Sequence, residues 1–345
     1  MQVSAFDYDL PEQLIAQEPL AERDASRMLI LDRATRTWID SHFADFPQQL
    51  RAGDLLVINN TKVFPARLIG QREPSGGRVE ALLVRELEPY VWEALVKPGR
   101  RLRQGAQVSF AAGKLRGELL DASGSELRQV RFHGSADLHS VLDEFGEVPL
   151  PPYISRPAGV SPTDRERYQT LFARERGAIA APTAGLHFTP KILEEVAAQG
   201  AQLATITLHV GYGTFEPVRV DDTEQHQVAA ERYHIDEAAA KTINEARAQG
   251  RRIIAVGTTT TRALESAAND RGLLQETQGS AGLTIVPGYK FRIVDALLTN
   301  FHLPRSSLLM LVSAFAGHQL ILNAYRHAVA AQYRFYSYGD CMLLI

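Results

Sequence analysis

Short apolar segments alternate with polar, helix-forming segments along the second half of the chain. The runs LATITLHV (203–210), RRIIAVG (251–257) and LTIVPGY (283–289) predict buried strands. DRERYQTLFARE (164–175) and DEAAAKTINEARAQG (236–250) predict helices, the second with an aspartate N-cap and a glycine at its end. Because strands and helices alternate, this half of the chain predicts an α/β sheet.

The pattern changes between residues 66 and 150. Short runs such as ARLIGQRE, RVEALLVREL, YVWEALVKP and LRQVRFHG alternate with Gly, Ser and Pro turns, which predicts a small antiparallel barrel or sandwich. A proline-rich connector, EVPLPPYISRP (147–157), leads back to the α/β pattern. The sequence therefore predicts a mixed α/β main domain over 1–65 and 151–345, with an inserted β-barrel domain over 66–150.

The segment AAPTAGLHFTP (180–190) lies between a predicted strand, GAIAA (177–181), and a predicted helix with Thr189 as its N-cap. Open α/β structures bind ligands at such junctions, where a helix presents unpaired N–H groups. Gly185 would let the backbone approach a ligand closely, and His187 can change protonation near neutral pH. Taken alone, the segment is more often a well-formed αβ loop with a structural histidine than a binding site.

Four predicted strands in this half are followed by distinctive loops: PTAGLHFT, HVGYGTFEPV, GTTTTR and PGYKF. Loops on the carboxyl edge of one sheet converge on a single site. The stretch 211–235 also has little regular pattern, which is typical of a lid or binding loop. This convergence favours the functional interpretation.

GTTTTR (257–262) places consecutive hydroxyls, including those of Thr258 and Thr259, and Arg262 at a predicted helix start. This geometry suits a phosphate or a carboxylate. The segment lacks the lysine of a P-loop, so nucleotide triphosphate binding is not predicted. The alternative is a capped helix whose arginine pairs with an acid such as Glu265.

Asp295, Asn300 and His302 lie within eight residues, just before two predicted apolar helices. Each is more often a buried polar residue than a catalyst, although their proximity suggests a site. The ten histidines show no ligand spacing and there is one cysteine, so no metal site is expected.

The length of 345 residues predicts about two domains, and the 45% hydrophobic content predicts that they are folded. The net charge is −3, so any binding of nucleic acid must come from a local patch. The single cysteine, Cys341, suits a reducing compartment. The N-terminal sequence lacks the apolar core of a signal peptide, and the apolar run 306–317 is too short to span a bilayer. We expect a monomeric, cytoplasmic protein with no membrane partner.

A basic block stands out in the predicted insert. The window from Ala94 to Gly117 has no acid, and Trp92 and Phe110 are candidate aromatic faces for nucleic acid. Its basic residues are Lys97, Arg100, Arg101, Arg103, Lys114 and Arg116. The first four are the candidate nucleic-acid-binding residues, and the alternative is a solvated charged face.

Several runs, spread in order from residue 6 to 340, resemble one family. They include FDYDLPEQLIAQ, GDLLVINNTKVFPARL, AAPTAGLHFTP, LHVGYGTFEPV, IIAVGTTTTRALES, VDALLTNFHLP and YRFYSYGD. The chain resembles the S-adenosylmethionine:tRNA ribosyltransferase-isomerase family of queuosine biosynthesis. The resemblance implies a barrel-like mixed α/β main domain with an inserted β-barrel.

The resemblance also implies a reaction. The ribosyl part of S-adenosylmethionine is transferred to 7-aminomethyl-7-deazaguanine at the tRNA wobble position and isomerised. The product is epoxyqueuosine in tRNA, and adenine and methionine are released. S-adenosylmethionine is a co-substrate, so no cofactor is expected.

This chemistry needs a base beside the sulfonium and a neutral attacking amine. His187 and His209 are the candidates for these proton transfers, with Asp295 as an alternative. Aromatic faces of Tyr212, Phe215 or Phe188 can hold the sulfonium.

The donor also needs polar contacts. The GTTTTR loop is the candidate for its carboxylate, and Gly185 and His302 complete the candidate substrate-binding set.

The sequence departs from the family at one motif. The family commonly has an HxMHxE run after the GTFxPV loop, whereas EQHQVAAERY (224–233) keeps His226 and Glu231 but has Ala229 at the second histidine. We infer that this histidine is not the essential base.

Two other interpretations remain open. One is an α/β glycosyl- or phosphoribosyl-transferase that uses GTTTTR as a phosphate loop, and the other is a non-catalytic RNA-binding protein. Release of adenine from S-adenosylmethionine separates both from the ribosyl transfer.

Overall fold

The computed structural model describes residues 1–99, 102–120, 127–134, 137–157 and 159–345. The chain forms two compact units. The larger unit comprises residues 1–62, 152–155 and 167–345, and the smaller comprises 63–151 and 156–166.

The larger unit is built on a nine-stranded mixed sheet. Its strands are β1 (Arg27–Asp32), β2 (Thr37–His42), β3 (Leu55–Asn59), β12 (Gln202–Leu208), β13 (Glu231–Ile235), β14 (Ile253–Val256), β15 (Thr277–Ala281), β16 (Ala296–Asn300) and β17 (Cys341–Leu344). They lie in the order β15-β13-β12-β3-β14-β16-β17-β1-β2. The four central strands β12, β3, β14 and β16 are parallel, so their carboxyl ends share one edge.

The helices of this unit are α3 (Pro190–Ala198), α4 (Glu237–Ala248), α5 (Thr258–Ala267), α6 (Ser307–Ala316) and α7 (His318–Ala330). Side chains cap several of them, as the sequence predicts. Thr189 accepts the N–H of Ile192 at the start of α3, and Asp236 accepts the N–H of Ala239 at the start of α4.

One face of the sheet packs on α3 and on a cluster of aromatic rings. Alternate residues of the strands, such as Leu56 and Ile58 of β3, point into this core. Phe188, which is fully buried, packs edge-on against Phe43 and Phe46 there. Its ring therefore belongs to the core, and the expectation that it holds a sulfonium is wrong.

The smaller unit contains a closed antiparallel barrel. Its strands are β5 (Arg67–Arg72), β6 (Arg78–Glu88), β7 (Val91–Lys97), β8 (Gln107–Phe110), β9 (Leu115–Leu119) and β10 (Leu127–Gly134). Helices α1 (Leu138–Phe145) and α2 (Pro162–Arg167) follow, and a separate two-stranded ladder joins β4 (Thr61–Val63) and β11 (Glu175–Ala178). The prediction of a mixed α/β fold with a small antiparallel barrel is confirmed.

Both aromatic residues expected to face nucleic acid lie inside this unit. Trp92 is buried and packs against Phe64, while Phe110 is buried against Phe132. Neither ring is available to stack on a base, so that expectation is wrong.

Two predicted elements differ from the structure. The helix expected over 164–175 extends only as far as Arg167, and farther along the chain the N–H groups of Arg174 and Glu175 bond to the carbonyl of Asn60. The strand expected over 283–289 is irregular, since Pro287 has no N–H to donate and the N–H of Tyr289 closes a turn onto Val286.

Within the described part of the chain, no one helix combines the length and the apolar composition that a membrane span requires. Helices α6 and α7 meet that test only as a pair, and they are bent by 116° at their junction.

Candidate active site

A cavity lies at the carboxyl edge of the central parallel strands. Loops from different parts of the chain line it, because each follows a strand that ends at this edge. Its polar lining includes Thr183, Thr258, Thr259, Thr299, Asn300 and His302. Three of the four distinctive loops therefore meet at one site, whereas the PGYKF loop does not line this cavity.

Two buried polar atoms among the cavity residues have no hydrogen-bond partner in the described structure, the Oγ1 of Thr259 and the Oδ1 of Asn300. By contrast, Thr260 and Thr261 donate to backbone carbonyls of the preceding turn. A buried polar atom without a partner is costly unless a ligand or water satisfies it. Thr259 and Asn300 are thus equipped to contact a ligand.

His187 is buried and both of its ring nitrogens are occupied. The Nδ2 of Asn300 lies 3.2 Å from its Nε2 and also donates to the carbonyl of Tyr336, so Nε2 is the acceptor. The proton therefore sits on Nδ1, which donates to the Oγ of Ser26 at 2.9 Å. Burial lowers the pKa of His187 to about 4, and the ring is neutral at pH 7.

His209 follows β12 directly and is only partly buried. Its Nδ1 lies 2.8 Å from the Oγ1 of Thr61, and its ring packs on Gly177, where a Cβ would come within 2.7 Å of the ring. Nε2 makes no hydrogen bond to the described residues. Burial, assisted by Arg232, lowers the pKa of His209 to about 4. The Thr61 hydroxyl donates to the carbonyl of Glu175, so Nδ1 carries the proton of the neutral ring and Nε2 is left as the acceptor. His209 itself does not line the cavity, whereas its neighbour Val210 does.

His302 is buried beside Asn300. Its Nε2 lies 3.0 Å from the Oγ1 of Thr299, and its backbone N–H bonds to the hydroxyl of Tyr325. Burial lowers its pKa to about 3. The ring is held in place as a neutral group in the cavity wall.

Arg262 forms a buried ion pair with Glu231 of β13, not with the expected Glu265. Glu231 also accepts the N–H of Gly211 at 2.9 Å. Burial raises the pKa of Glu231, and Arg262 and this N–H oppose the shift. The guanidinium is thereby committed to a protein carboxylate, and its Nε is buried without a partner among the described residues.

Glu265 instead organises the segment that leads to β16. Its carboxylate accepts the backbone N–H groups of Arg292, Ile293 and Val294 at 2.8 to 3.1 Å. The hydroxyl of Tyr289 donates to the same side chain. The Glu265 carboxylate is thus occupied by backbone N–H groups and does not pair with Arg262.

The ion pair borders a second cavity. Gly213, Thr214, Ala229, Glu231 and Arg262 are among its lining residues. A Cβ built on Gly213 would lie 2.4 Å from the Cβ of Ala229, so this glycine is required by close packing. The position where the family commonly has a histidine thus lies in a cavity wall beside the ion pair.

Gly211 and Glu231 connect this second cavity to the turn Tyr212–Phe215. Tyr212 is partly buried, and the side chain of Phe215 lies outside the described residues. The bond from the N–H of Gly211 to Glu231 fixes where this turn begins.

Asp295 and Gly185 are not among the residues that line the cavity at the carboxyl edge. Asp295 precedes β16, at the amino end of the parallel strands, where its carboxylate accepts the N–H of Ile253. A Cβ on Gly185 would lie 2.9 Å from the side chain of Thr170, so this glycine serves packing against the protein.

Some cations of the basic block are paired with acids, and others are not. Lys114 pairs with Glu144, and Arg116 pairs with Glu73. Lys97 and Arg103 are exposed and make no ion pair with the described residues. Arg100 and Arg101 lie outside the described residues.

Ser26 and Thr61 hold the two histidines, and neither contact was predicted from the sequence. Ser26 fixes the tautomer of His187, and Thr61 orients His209. Each lies about 150 residues from its histidine, and no local pattern links such positions. Among the described residues, no group of three or more His, Cys, Asp or Glu side chains is placed to hold a metal ion.

Comparisons with known proteins agree on one family. The family described as "Queuosine biosynthesis protein" matches residues 3–344. Two proteins named S-adenosylmethionine:tRNA ribosyltransferase-isomerase, from Symbiobacterium thermophilum and Syntrophotalea carbinolica, are each 50% identical over 100% of both chains.

A solved structure supports the same assignment. The crystal structure of S-adenosylmethionine tRNA ribosyltransferase from Thermotoga maritima is 36% identical, with a TM-score of 0.56 over 99% of this chain and 100% of that one. The match extends over both the large mixed sheet and the barrel unit. This chain therefore belongs to the queuosine biosynthesis protein family.

Proposed function

We propose that this protein is an S-adenosylmethionine:tRNA ribosyltransferase-isomerase. It transfers the ribosyl part of S-adenosylmethionine to 7-aminomethyl-7-deazaguanine at the tRNA wobble position and isomerises it to epoxyqueuosine. Adenine and methionine are released. The observation that carries this proposal is the 50% identity, over the whole length of both chains, to proteins of that name.

The donor is assigned to the cavity at the carboxyl edge of the sheet. The unpartnered Oγ1 of Thr259 and Oδ1 of Asn300 can hydrogen-bond the hydroxyls or base of S-adenosylmethionine. His302 and Thr258 complete the polar wall. Tyr212, on the turn that contributes Thr214 to the wall, is proposed to face the sulfonium.

His209 is our candidate for the base that removes a proton next to the sulfonium. It is neutral at pH 7, and its Nε2 makes no hydrogen bond to the described residues. His187 is better suited to a positioning role, because Asn300 and Ser26 already occupy its two nitrogens. In that role, His187 helps to hold the Asn300 amide that lines the cavity.

Arg262 is assigned a structural role beside the site. Its guanidinium pairs with the Glu231 carboxyl, and Glu231 in turn accepts the N–H of Gly211. The turn Tyr212–Phe215 begins at this bond. Arg262 therefore positions the turn through Glu231 and does not itself contact the donor.

The barrel unit is proposed to contact tRNA. Lys97 and Arg103 are exposed cations without an ionic partner among the described residues, and Arg100 and Arg101 lie between them in the sequence. Arginine can grip phosphate oxygens bidentately. The protein is proposed to act as a cytoplasmic monomer, which size-exclusion chromatography of the purified chain would test.

The decisive experiment combines the protein, S-adenosylmethionine and tRNA that carries the aminomethyl precursor. We expect free adenine and a correspondingly heavier wobble nucleoside by mass spectrometry. The matched control is the same tRNA with guanine at the wobble position, which lacks the attacking amine and should release no adenine. Absence of adenine with the precursor tRNA would reject the proposal.

A further inference from the structure

A third, broad cavity lies at the opposite edge of the main sheet. It is bordered by the residues that precede β14 and β16 and by the residues that follow β1. Five arginines line it: Arg33, Arg51, Arg247, Arg251 and Arg252. β14 and β16 are four and five residues long, which separates this cavity from the candidate active site by roughly 13–17 Å.

Most of these guanidinium groups are held by neutral carbonyl groups. Arg247 donates to the backbone carbonyls of Arg271 and Gly272 at 3.1 and 2.8 Å. Arg251 donates to the carbonyl of Gly53 and to the amide oxygen of Gln202. These bonds fix the side chains and leave their positive charges uncompensated.

Two aspartates, Asp32 and Asp295, line the cavity together with the arginines, and they account for only part of the positive charge. Arg252 pairs with Asp54, and Arg33 is attracted by Asp295 and Asp32. Arg33 also donates to the terminal residue, Ile345. Arg51, Arg247 and Arg251 have no carboxylate within 4 Å of their guanidinium groups among the described residues.

We propose that this cavity binds phosphate groups. The planar guanidinium presents a fork of N–H donors that matches phosphate oxygens, and several arginines already held at one cavity need little further ordering. Phosphate can come from a small phosphorylated compound or from the backbone of an RNA. The proposal concerns phosphate binding alone, so it holds whether or not the protein catalyses ribosyl transfer.

Arg51 is the best residue to change. Its side chain is exposed and makes no hydrogen bond or ion pair to the described residues, so Arg51→Glu should fold normally. Arg326→Glu is the matched control, because Arg326 is also exposed and lies on α7 outside the cavity. Both variants change the net charge equally, and thermal unfolding verifies that both are folded.

The first arm measures pyrophosphate binding by calorimetry. We expect binding to the wild type, a loss of affinity of tenfold or more in Arg51→Glu, and a change below twofold in Arg326→Glu. The milder Arg51→Gln should fall between the wild type and Arg51→Glu. That outcome assigns the cavity to small phosphorylated compounds.

The second arm measures binding of an unmodified tRNA transcript between 50 and 200 mM salt. If the RNA backbone occupies the cavity, Arg51→Glu should lower the log–log salt slope by about 0.9 for each duplex phosphate that the variant no longer neutralises. Arg326→Glu should leave the slope unchanged. If Arg51→Glu matches Arg326→Glu in both arms, the cavity is a solvated arginine cluster and the proposal is overturned.

Discussion

Arg262 and Glu231 form a buried ion pair between residues 31 positions apart, with side chains only 6% and 3% exposed. Removing one partner of such a pair leaves an uncompensated buried charge. The pair also connects α5 to the turn at Tyr212 through the N–H of Gly211. It therefore links the stability of the main unit to the shape of the candidate active site.

Arg262→Ala is expected to lower the free energy of unfolding by about 3–5 kcal/mol, because Glu231 stays buried without its partner. Urea denaturation monitored by circular dichroism measures this loss. The control is the double variant Arg262→Met with Glu231→Gln, which removes both charges and should recover most of the stability. An Arg262→Ala variant as stable as the wild type would contradict the structural role.

The same double variant tests the donor site. If Arg262 only supports the turn, the folded double variant should bind S-adenosylmethionine within about tenfold of the wild type. A folded double variant that has lost donor binding altogether would assign Arg262 directly to the donor carboxylate.

Substitution of the two histidines should have different effects. His209→Ala should lower turnover by ~10²–10⁴-fold, the usual contribution of a general base, while donor binding and the fold are retained. His187→Ala should lower the melting temperature as well, because it leaves Asn300 and Ser26 without their buried partner. Single-turnover kinetics and thermal unfolding of both variants check this. Turnover of His209→Ala within a few-fold of the wild type would exclude it as the base.

The stability of the protein should fall with acid below pH 6.5. Burial lowers the pKa of His302 to about 3, so the unfolded chain binds a proton that the folded chain resists. The stability this histidine contributes is complete above its unfolded pKa of about 6.5 and declines as the pH falls, by up to ~1.4 kcal/mol per pH unit.

His302→Gln should flatten that decline, since glutamine does not titrate. Urea unfolding at several pH values between 4 and 8 measures both slopes. Above pH 6.5 the two slopes should coincide, which serves as an internal control. Equal slopes below pH 6 would show that His302 contributes nothing to acid sensitivity.

The basic block gives a prediction with a control in the same barrel. Lys97→Gln with Arg103→Gln should weaken tRNA binding and lower its log–log salt slope by ~0.7 for each contact to single-stranded phosphates. Adding Arg100→Gln and Arg101→Gln should extend the effect. Lys114→Gln with Arg116→Gln removes the same charge from cations that already pair with Glu144 and Glu73.

Filter binding at several salt concentrations compares the two pairs. The Lys114 and Arg116 variant should have the smaller effect. Equal effects of both pairs would mean that the block acts only through its total charge.

Local signals in the sequence predicted local structure well. The caps at Thr189 and Asp236 were predicted because a cap needs only a side chain and an N–H three residues away. The apolar run of β14 was predicted because this central parallel strand is buried on both faces.

Contacts between distant residues could not be predicted in this way. The sequence suggested Glu265 for Arg262 because it lies on the same helix, whereas the partner comes from a strand 31 positions away. Likewise, no local pattern indicates that both nitrogens of His187 are taken by Ser26 and Asn300. Whether a histidine is free or occupied depends on which strand ends meet, and only the sheet order fixes that.

Gly213 and Ala229 are constrained unequally by their contact. Any side chain at 213 would meet the Cβ at 229, so that position is closed to substitution while the backbone stays where it is. Position 229 lines a cavity, and every residue other than glycine there would present the same Cβ to position 213. A side chain at position 213 is therefore excluded by this backbone whether alanine or histidine occupies position 229.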